Sequence, residues 1–228
     1  VTVLNLVFHD GESRAEREVE VRTFIIAGWT GRDREALEKH IRELEAMGVQ
    51  RPASVPVYYR VAAARLTTSD EIEVPGTASS GEVEFVMLKQ DGVLWVGVGS
   101  DHTDRVAEAY NVTISKQMCE KPIAPEFWRF DEVAPHWDSL SLRSFATQNG
   151  VRRLYQEGKV TAMRAPLDLM EGYGASDAFT DGTLMFCGTV AARGGIRPAE
   201  RFDFELEDRV KGRTLRHGYT IRTLPVAG

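Results

Sequence analysis

Residues 79–87 read S-S-G-E-V-E-F-V-M, with Glu82 and Glu84 two positions apart. In a β-strand such residues share one face and leave Val83, Phe85 and Met87 on the other. The two carboxylates then lie about 5 to 7 Å apart. Like charges this close repel and are costly to desolvate, so water, a basic partner or a cation must compensate them. The strand-like run V-L-W-V-G-V-G follows and delivers S-D-H-T-D-R at residues 100–105. Asp101 can close a three-carboxylate set with the two glutamates. Hard divalent cations prefer such oxygen ligands, and Mg²⁺ keeps waters that a substrate can displace. Taken alone, Glu82 and Glu84 read better as a solvated strand face; the downstream S-D-H-T-D-R and S-K-Q segments favour the carboxylate set.

Other polar groups in these segments admit more than one reading each. Asp104 is a second candidate ligand or the cap of a following helix. His102 is a substrate contact, a partner of a neighbouring ligand, or a metal ligand itself. Lys116 is a loop lysine, or with Arg105 it neutralises an anionic substrate and a developing enolate. His40 and Glu43, three apart in H-I-R-E, fit an imidazole oriented by a carboxylate as a general base, or an ordinary helix surface.

The elements that must position these groups follow from periodicity. Residues 1–8 and 17–27 read as strands. From Asp33 to Met47, Leu37, Ile41 and Leu44 recur at helical spacing before Gly48. Residues 52–60, with their prolines, read as an extended connection. From 61 to 100, V-A-A-A-R-L, E-I-E-V-P-G, E-V-E-F-V-M-L and V-L-W-V-G-V-G alternate with turn residues, and K-Q-D-G between the last two is short enough for a bare hairpin. A helix over 104–110, a Pro- and Trp-rich loop over 119–138 and an undefined stretch to 165 come next. Strands return from Thr183, with R-F-D-F-E-L-E-D alternating as a half-exposed strand should.

The 228 residues, 43% hydrophobic and 27% charged, suffice for one large domain with a sizeable core. A net charge of -6 with dispersed basic residues argues against a nucleic-acid partner. Two cysteines, Cys119 and Cys187, lack metal-ligand spacing and argue against a disulfide framework. No run approaches the roughly 18 apolar residues of a membrane span, so no membrane association is expected and the location is expected to be cytoplasmic.

G-E-V-E-F, then S-D-H-T-D-R-V-A-E, S-K-Q-M-C-E-K-P-I-A-P and a late F-C-G-T, resemble in order the motifs of the fumarylacetoacetate hydrolase superfamily. Within or beside it the chain resembles a divergent branch, a domain of unknown function of the DUF2848 type. In that superfamily an E-x-E strand supplies two metal ligands and an N-D-x-S-x-R-D-x-Q-like segment the third. A lysine in a G-K-S-like stretch, a P-x-G-P-like turn and a G-T follow. The resemblance implies Glu82, Glu84 and Asp101 as ligands of Mg²⁺ or Mn²⁺, Thr103, Arg105, Gly188 and Thr189 as substrate contacts, and Lys116 as a catalytic group. Glu108, Pro122 and Pro125 fall on further motif positions. His40 and Glu43 match the H-x-x-E dyad of the superfamily's lid.

The implied fold is mostly β (α+β): a mixed sheet roll with a few short helices. Residues 1–228 form one catalytic domain, with 1–50 as a strand pair and lid-like helix. The implied activity is that of a metal-dependent hydrolase or lyase acting on a small anionic 2-oxo acid or 1,3-dicarbonyl through a metal-bound enolate. Carbon–carbon hydrolysis, decarboxylation, hydration and tautomerisation all use such chemistry. A homodimer is expected on the same ground. The competing expectation is a non-catalytic binding protein that kept the fold and lost the lid dyad. A cupin-like isomerase is a weaker third, because cupins use clustered histidines that this chain lacks.

Overall fold

The computed structural model describes residues 1–46, 51–52 and 54–227, without the side chains at 40, 43–46 and 175–178. Its centre is the antiparallel hairpin Val83–Gln90 and Val93–Ser100, joined by the two-residue turn Asp91–Gly92. Both turn residues have positive φ, 53° and 74°, the conformation that tight hairpin turns require. The hairpin is the middle of an eight-stranded mixed sheet. On one side lie Glu126–Arg129, Thr2–Asp10 and Ser13–Val21; on the other lie Thr183–Thr189, Thr23–Gly28 and Val57–Val61. Thr183–Thr189 runs parallel to Thr23–Gly28, and Thr2–Asp10 runs parallel to Glu126–Arg129.

A second sheet has five strands, in the order Val151–Lys159, Ser141–Gln148, Arg201–Asp208, Arg213–Leu224 and Glu71–Pro75. Its inward side chains Leu142, Phe202, Phe204, Leu206 and Leu215 pack with Val83, Phe85 and Met87 of the hairpin. The strand Arg201–Asp208 alternates half-buried and buried residues along its length, as its sequence requires. Val86 and Leu88 point the other way, into a separate core with Phe24, Phe127 and Phe186. Strand Val83–Gln90 is therefore covered on both faces. Along one of them the order Leu88, Val86, Glu84, Glu82 marks where an apolar layer gives way to carboxylates.

Several elements depart from the pattern-based reading. The run 17–27 is two strands, because the N–H groups of Arg22 and Thr23 both donate to the Gly182 carbonyl, at 2.8 and 3.1 Å, and divert the chain between sheet positions. Ala63–Arg65, expected as β, is a 3₁₀ turn. Residues 119–138 are structured: Lys121–Pro122 and Glu126–Arg129 are strands, and Phe130–Val133 leads into the 3₁₀ turn Ala134–Ser139. The hairpin Ser141–Gln148 with Val151–Lys159 and the helix Pro166–Ala178 occupy regions where no element was expected. Pro166 and Asp168 are start signals for that helix, but Gly172 and Gly174 weaken its interior and no side chain caps it.

The predicted helix over 33–47 is observed as Arg34–Ala46. Asp33 Oδ1 accepts from Glu35 N and Ala36 N, both at 3.0 Å. Met47 and Gly48, its predicted end, lie outside the described residues. Among the described residues no helix is long and apolar enough to cross a membrane.

Candidate active site

The strand register brings the carboxylates together. Val83 pairs with Ser100 and Glu84 with Gly99, and Asp101 N donates to the Glu82 carbonyl at 2.9 Å. The chain that leaves the second strand is thus held against the residue that opens the first. Gly99 is obligatory in this crossing, because a Cβ there would stand 2.6 Å from the Phe186 ring. Glu82, Glu84 and Asp101 each present an oxygen within 4.8 Å of the others. They line a cleft of about 880 Å³.

The three carboxylates have unequal partners. Asp101 is buried, and Lys116 Nζ takes Oδ2 while Lys121 Nζ lies 2.9 Å from Oδ1. Burial works against its charge, but the two ammonium groups hold the carboxyl well below the ordinary aspartate range. Thr103 Oγ1 adds a 3.2 Å hydrogen bond to Oδ1. Glu82 faces the Arg105 guanidinium at 3.3 Å, and burial still pushes its pKa up. Glu84 receives the Gly188 N–H at 2.7 Å and has no ion pair among the described residues. Burial, reinforced by the Asp101 and Glu82 charges, raises it well above the usual carboxylate range. A site with one uncompensated buried carboxylate beside two others suits a divalent oxygen-ligated cation. Glu82, Glu84 and Asp101 would hold it.

The cations around the site come from two short helices. Asp104 caps the helix Arg105–Tyr110 by accepting from Ala107 N at 2.9 Å, so of its two readings the structure selects the cap. Arg105, the first residue of that helix, donates to Ser80 Oγ at 2.8 Å and to Glu108 at 2.7 Å. Asn111 interrupts the helical run with extended backbone and caps the next helix, Val112–Met118, accepting from Ile114 N at 3.0 Å. This second helix carries Lys116 into the cleft, in contact with Asp101 and 3.7 Å from Glu108. Burial opposes its charge, yet Asp101, Glu82 and Glu108 raise its pKa and keep the ammonium form.

Gly188 and Thr189 stand where the strand Thr183–Thr189 passes Glu84. Gly188 has φ 99°, and a Cβ there would lie 1.8 Å from Thr30 Oγ1, so no other residue fits this backbone. Thr189 Oγ1 donates to the Val83 carbonyl at 2.8 Å and accepts from Gln156 Nε2 at 2.8 Å, while still lining the cleft. Thr103 is buried against Asp101 and does not line the cleft, so its contact is with the carboxylate. His102 is also buried outside the lining. Its Nδ1 is 2.8 Å from the Tyr219 hydroxyl, and burial first, then Lys121 and Arg105, lowers its pKa to about 3. It is neutral there. His40 and Glu43 stand on the helix Arg34–Ala46, but their side chains lie outside the described residues.

Lys121, Gln156, Trp29 and Tyr59 belong to this site and carry no sequence signal of it. Lys121 is one basic residue among 28 and sits before Pro122 in what reads as a loop. Gln156 is in the other sheet, with Oε1 accepting from Val83 N at 3.0 Å. Trp29 and Tyr59 line the cleft from separate segments.

A mixed β roll that gathers three carboxylates at the end of its central hairpin has the fold of the fumarylacetoacetate hydrolase type. The chain belongs to the family described as "Protein of unknown function (DUF2848)", which it matches over residues 27–219. No curated protein sequence matches it significantly. Among solved structures it is similar to Cg1458 with inhibitor, at TM-score 0.68 and 14% identity over 94% of this chain and 84% of that chain. A 2-keto-3-deoxyarabinonate dehydratase aligns at TM-score 0.63 and 17% identity over 95% and 79% of the two chains. A structure of 2-keto-3-deoxy-D-arabinonate dehydratase complexed with magnesium and 2,5-dioxopentanoate aligns at TM-score 0.63 and 14% identity, over 95% and 79%. At these identities the likeness is one of fold.

Proposed function

We propose that this protein is a divalent-cation-dependent lyase or hydrolase acting on a small anionic 2-oxo acid or 1,3-dicarbonyl. The observation that carries the reading is the cluster of half-buried Glu82 with buried Glu84 and Asp101, in which Glu84 forms no ion pair among the described residues. That a similarly folded dehydratase was solved with magnesium and a dioxo acid supports it. Bound there, Mg²⁺ or Mn²⁺ would act as a Lewis acid, polarising the substrate's chelating carbonyl and making the C–H beside it more acidic.

The chain's own residues divide the remaining work. Arg105 and Lys116 draw an anionic substrate into a cleft whose low dielectric strengthens the attraction. Lys116 Nζ, held protonated between Asp101 and Glu108, can meet negative charge that develops on a substrate oxygen. Gly188 N–H and the Thr189 hydroxyl already donate to Glu84 and the Val83 carbonyl, so beside the substrate they hold the carboxylate end of the cleft in place. His40, oriented by Glu43, would move a proton or activate water from the helix Arg34–Ala46. Residues 1–228 act as one cytoplasmic catalytic domain in a homodimer. The exposed Val106, Tyr110 and Ile114 on the two helices beside the cleft support self-association.

A binding module without turnover is the second reading, favoured by the two lysines that already neutralise Asp101. Thermal unfolding with Mg²⁺, Mn²⁺ and Ca²⁺, on wild type and Glu84→Ala, tests the site. A melting temperature that rises with metal in wild type alone supports the carboxylate assignment, because a ligand bound only by the native state stabilises it. No response at millimolar metal in either protein removes the metal-dependent reading. Turnover of 2-oxo acids by the metal-loaded protein then separates enzyme from binding module.

A further inference from the structure

The cleft is much larger than its chelating end requires. Its carboxylates gather with Arg105 and Lys116 at one end, while Trp29, Tyr59, Val112, Met163 and Ile196 line much of the rest of the volume of about 880 Å³, together with Arg197, whose Nη1 donates to the Arg193 and Gly195 carbonyls. Trp29 and Tyr59 offer an indole N–H and a phenol hydroxyl, and their side chains are hydrogen-bonded to each other. A ligand chain rich in hydroxyls would lose its water there with few partners in return.

Trp29 adds an independent observation. Its φ is 58°, in the left-handed region that bulky side chains avoid. Glycine would sit there without strain, and a glycine does precede it: a Cβ at Gly28 would lie 3.0 Å from the Tyr59 ring, so Gly28 lets that ring lie close. Trp95, Trp128 and Trp137 are buried at 5%, 2% and 7% exposure, whereas Trp29 is half-buried on the cleft wall. A strained residue kept where its ring faces a cavity points to a ligand contact. Ile196, 57% exposed, extends the same apolar wall.

We propose that the substrate is a 2-oxo acid whose carbon chain carries an aryl or branched alkyl group seated against Trp29 and Tyr59, rather than the polyhydroxy chain of a sugar acid. The inference rests on the chelating site proposed above and specifies the substrate it takes.

The test is calorimetric and fluorescence titration of the Mg²⁺-loaded protein with oxalate, pyruvate, 4-phenyl-2-oxobutanoate and a 2-oxo-3-deoxy sugar acid, for wild type, Trp29→Gly and Trp29→Phe. Burying one ring makes the phenyl compound bind about tenfold more tightly than pyruvate, with quenching of the Trp29 emission, while the sugar acid gains nothing. Trp29→Gly folds, because glycine accepts the backbone angle, as a melting curve checks. It keeps oxalate affinity and loses the phenyl advantage, whereas Trp29→Phe keeps most of it. Oxalate binding with no phenyl advantage, tightest binding of the sugar acid, or an advantage that survives in Trp29→Gly overturns the apolar substrate and leaves the chelating site standing. If no compound binds in the presence of metal, the chelating site fails and this inference fails with it.

Discussion

Lys121 Nζ lies 2.9 Å from Asp101 Oδ1 with both side chains out of contact with solvent, and Lys116 occupies the other carboxylate oxygen. One carboxylate thus pairs with two cations, while Glu84 nearby forms no ion pair among the described residues. Lys121 Nζ also donates to the His102 carbonyl, so it ties the segment that follows the central hairpin to the strand Lys121–Pro122. Burial, partly offset by Asp101, lowers its pKa. Truncating Lys121 leaves Asp101 with Lys116 alone and the His102 carbonyl without its donor.

Lys121→Met is therefore expected to lower stability by about 1.5 to 3 kcal/mol, the range for a lost hydrogen bond to a charged group, because Lys116 still pairs with Asp101. Asp101→Asn combined with Lys121→Met removes both charges and should cost less than the sum of the single changes. Urea unfolding of the three variants gives the coupling directly. Strict additivity would mean that the two groups do not act as a pair.

Gly188→Ala probes the contact between the late Gly-Thr and the metal end. The new methyl meets Thr30 Oγ1 at a φ of 99°, so the strand must shift and withdraw its N–H from Glu84. The expected loss is about 3 kcal/mol or more, together with loss of the metal-induced rise in melting temperature. A Gly188→Ala protein that retains the full metal response would separate Glu84 from this backbone contact. Thr30→Ser in the same background leaves the clash with Oγ1 in place and should not restore stability, whereas Thr30→Ala should recover part of it.

How legible these contacts were in the sequence depends on their range. The E-x-E pair and its turn partner Asp101 follow from the period of a strand and the length of a hairpin, both local properties. The burial of Glu84 does not, because it depends on Val86 and Leu88 being covered by Phe24, Phe127 and Phe186 from distant segments. Lys116 was visible as a residue but not as a helix residue; the Asn111 cap that starts its helix lies within a run whose periodicity had already weakened. Lys121 and Gln156 reach across 20 and 73 positions to Asp101 and Val83, and no spacing rule covers such distances. The helix Pro166–Ala178 escaped for a local reason: Gly172 and Gly174 break its helical pattern after the start that Pro166 and Asp168 signal.

Acid stability should carry the signature of Glu132. Burial opposes its charge, but the Gly11 N–H, Lys211 and Arg213 lower its pKa from 4.5 to about 2. A carboxylate depressed in the folded state binds fewer protons than in the unfolded chain. Its contribution is complete above pH 4.5 and is lost as pH falls from there through 2. With allowance for solvent screening, the difference between wild type and Glu132→Gln should be about 1 to 2 kcal/mol at neutral pH and vanish near the lower limit. Denaturant midpoints measured from pH 7 downward check this. A difference that stays constant with pH would assign the stabilisation to shape and neutral hydrogen bonding instead of to the ionised group.

Gln156 joins the two sheets at the site. Oε1 accepts from Val83 N at 3.0 Å and Ser144 Oγ at 2.9 Å, and Nε2 donates to Thr189 Oγ1 at 2.8 Å and the Val190 carbonyl at 2.6 Å. Both lone pairs of the amide oxygen and both N–H groups are in use, and the residue is buried. Gln156→Leu keeps the volume and strands the Val83 N–H and the Val190 carbonyl, each costing about 1 to 3 kcal/mol. Because Val83 lies between Glu82 and Glu84, the released backbone should also loosen the carboxylate set. The variant is therefore expected to be less stable and to bind Mg²⁺ more weakly in a melting titration, whereas a cavity-forming change of similar cost in the other core, Leu6→Ala, should lower stability and leave the metal response intact. Equal metal responses in the two variants would show that Gln156 supports the fold alone and does not position the ligands.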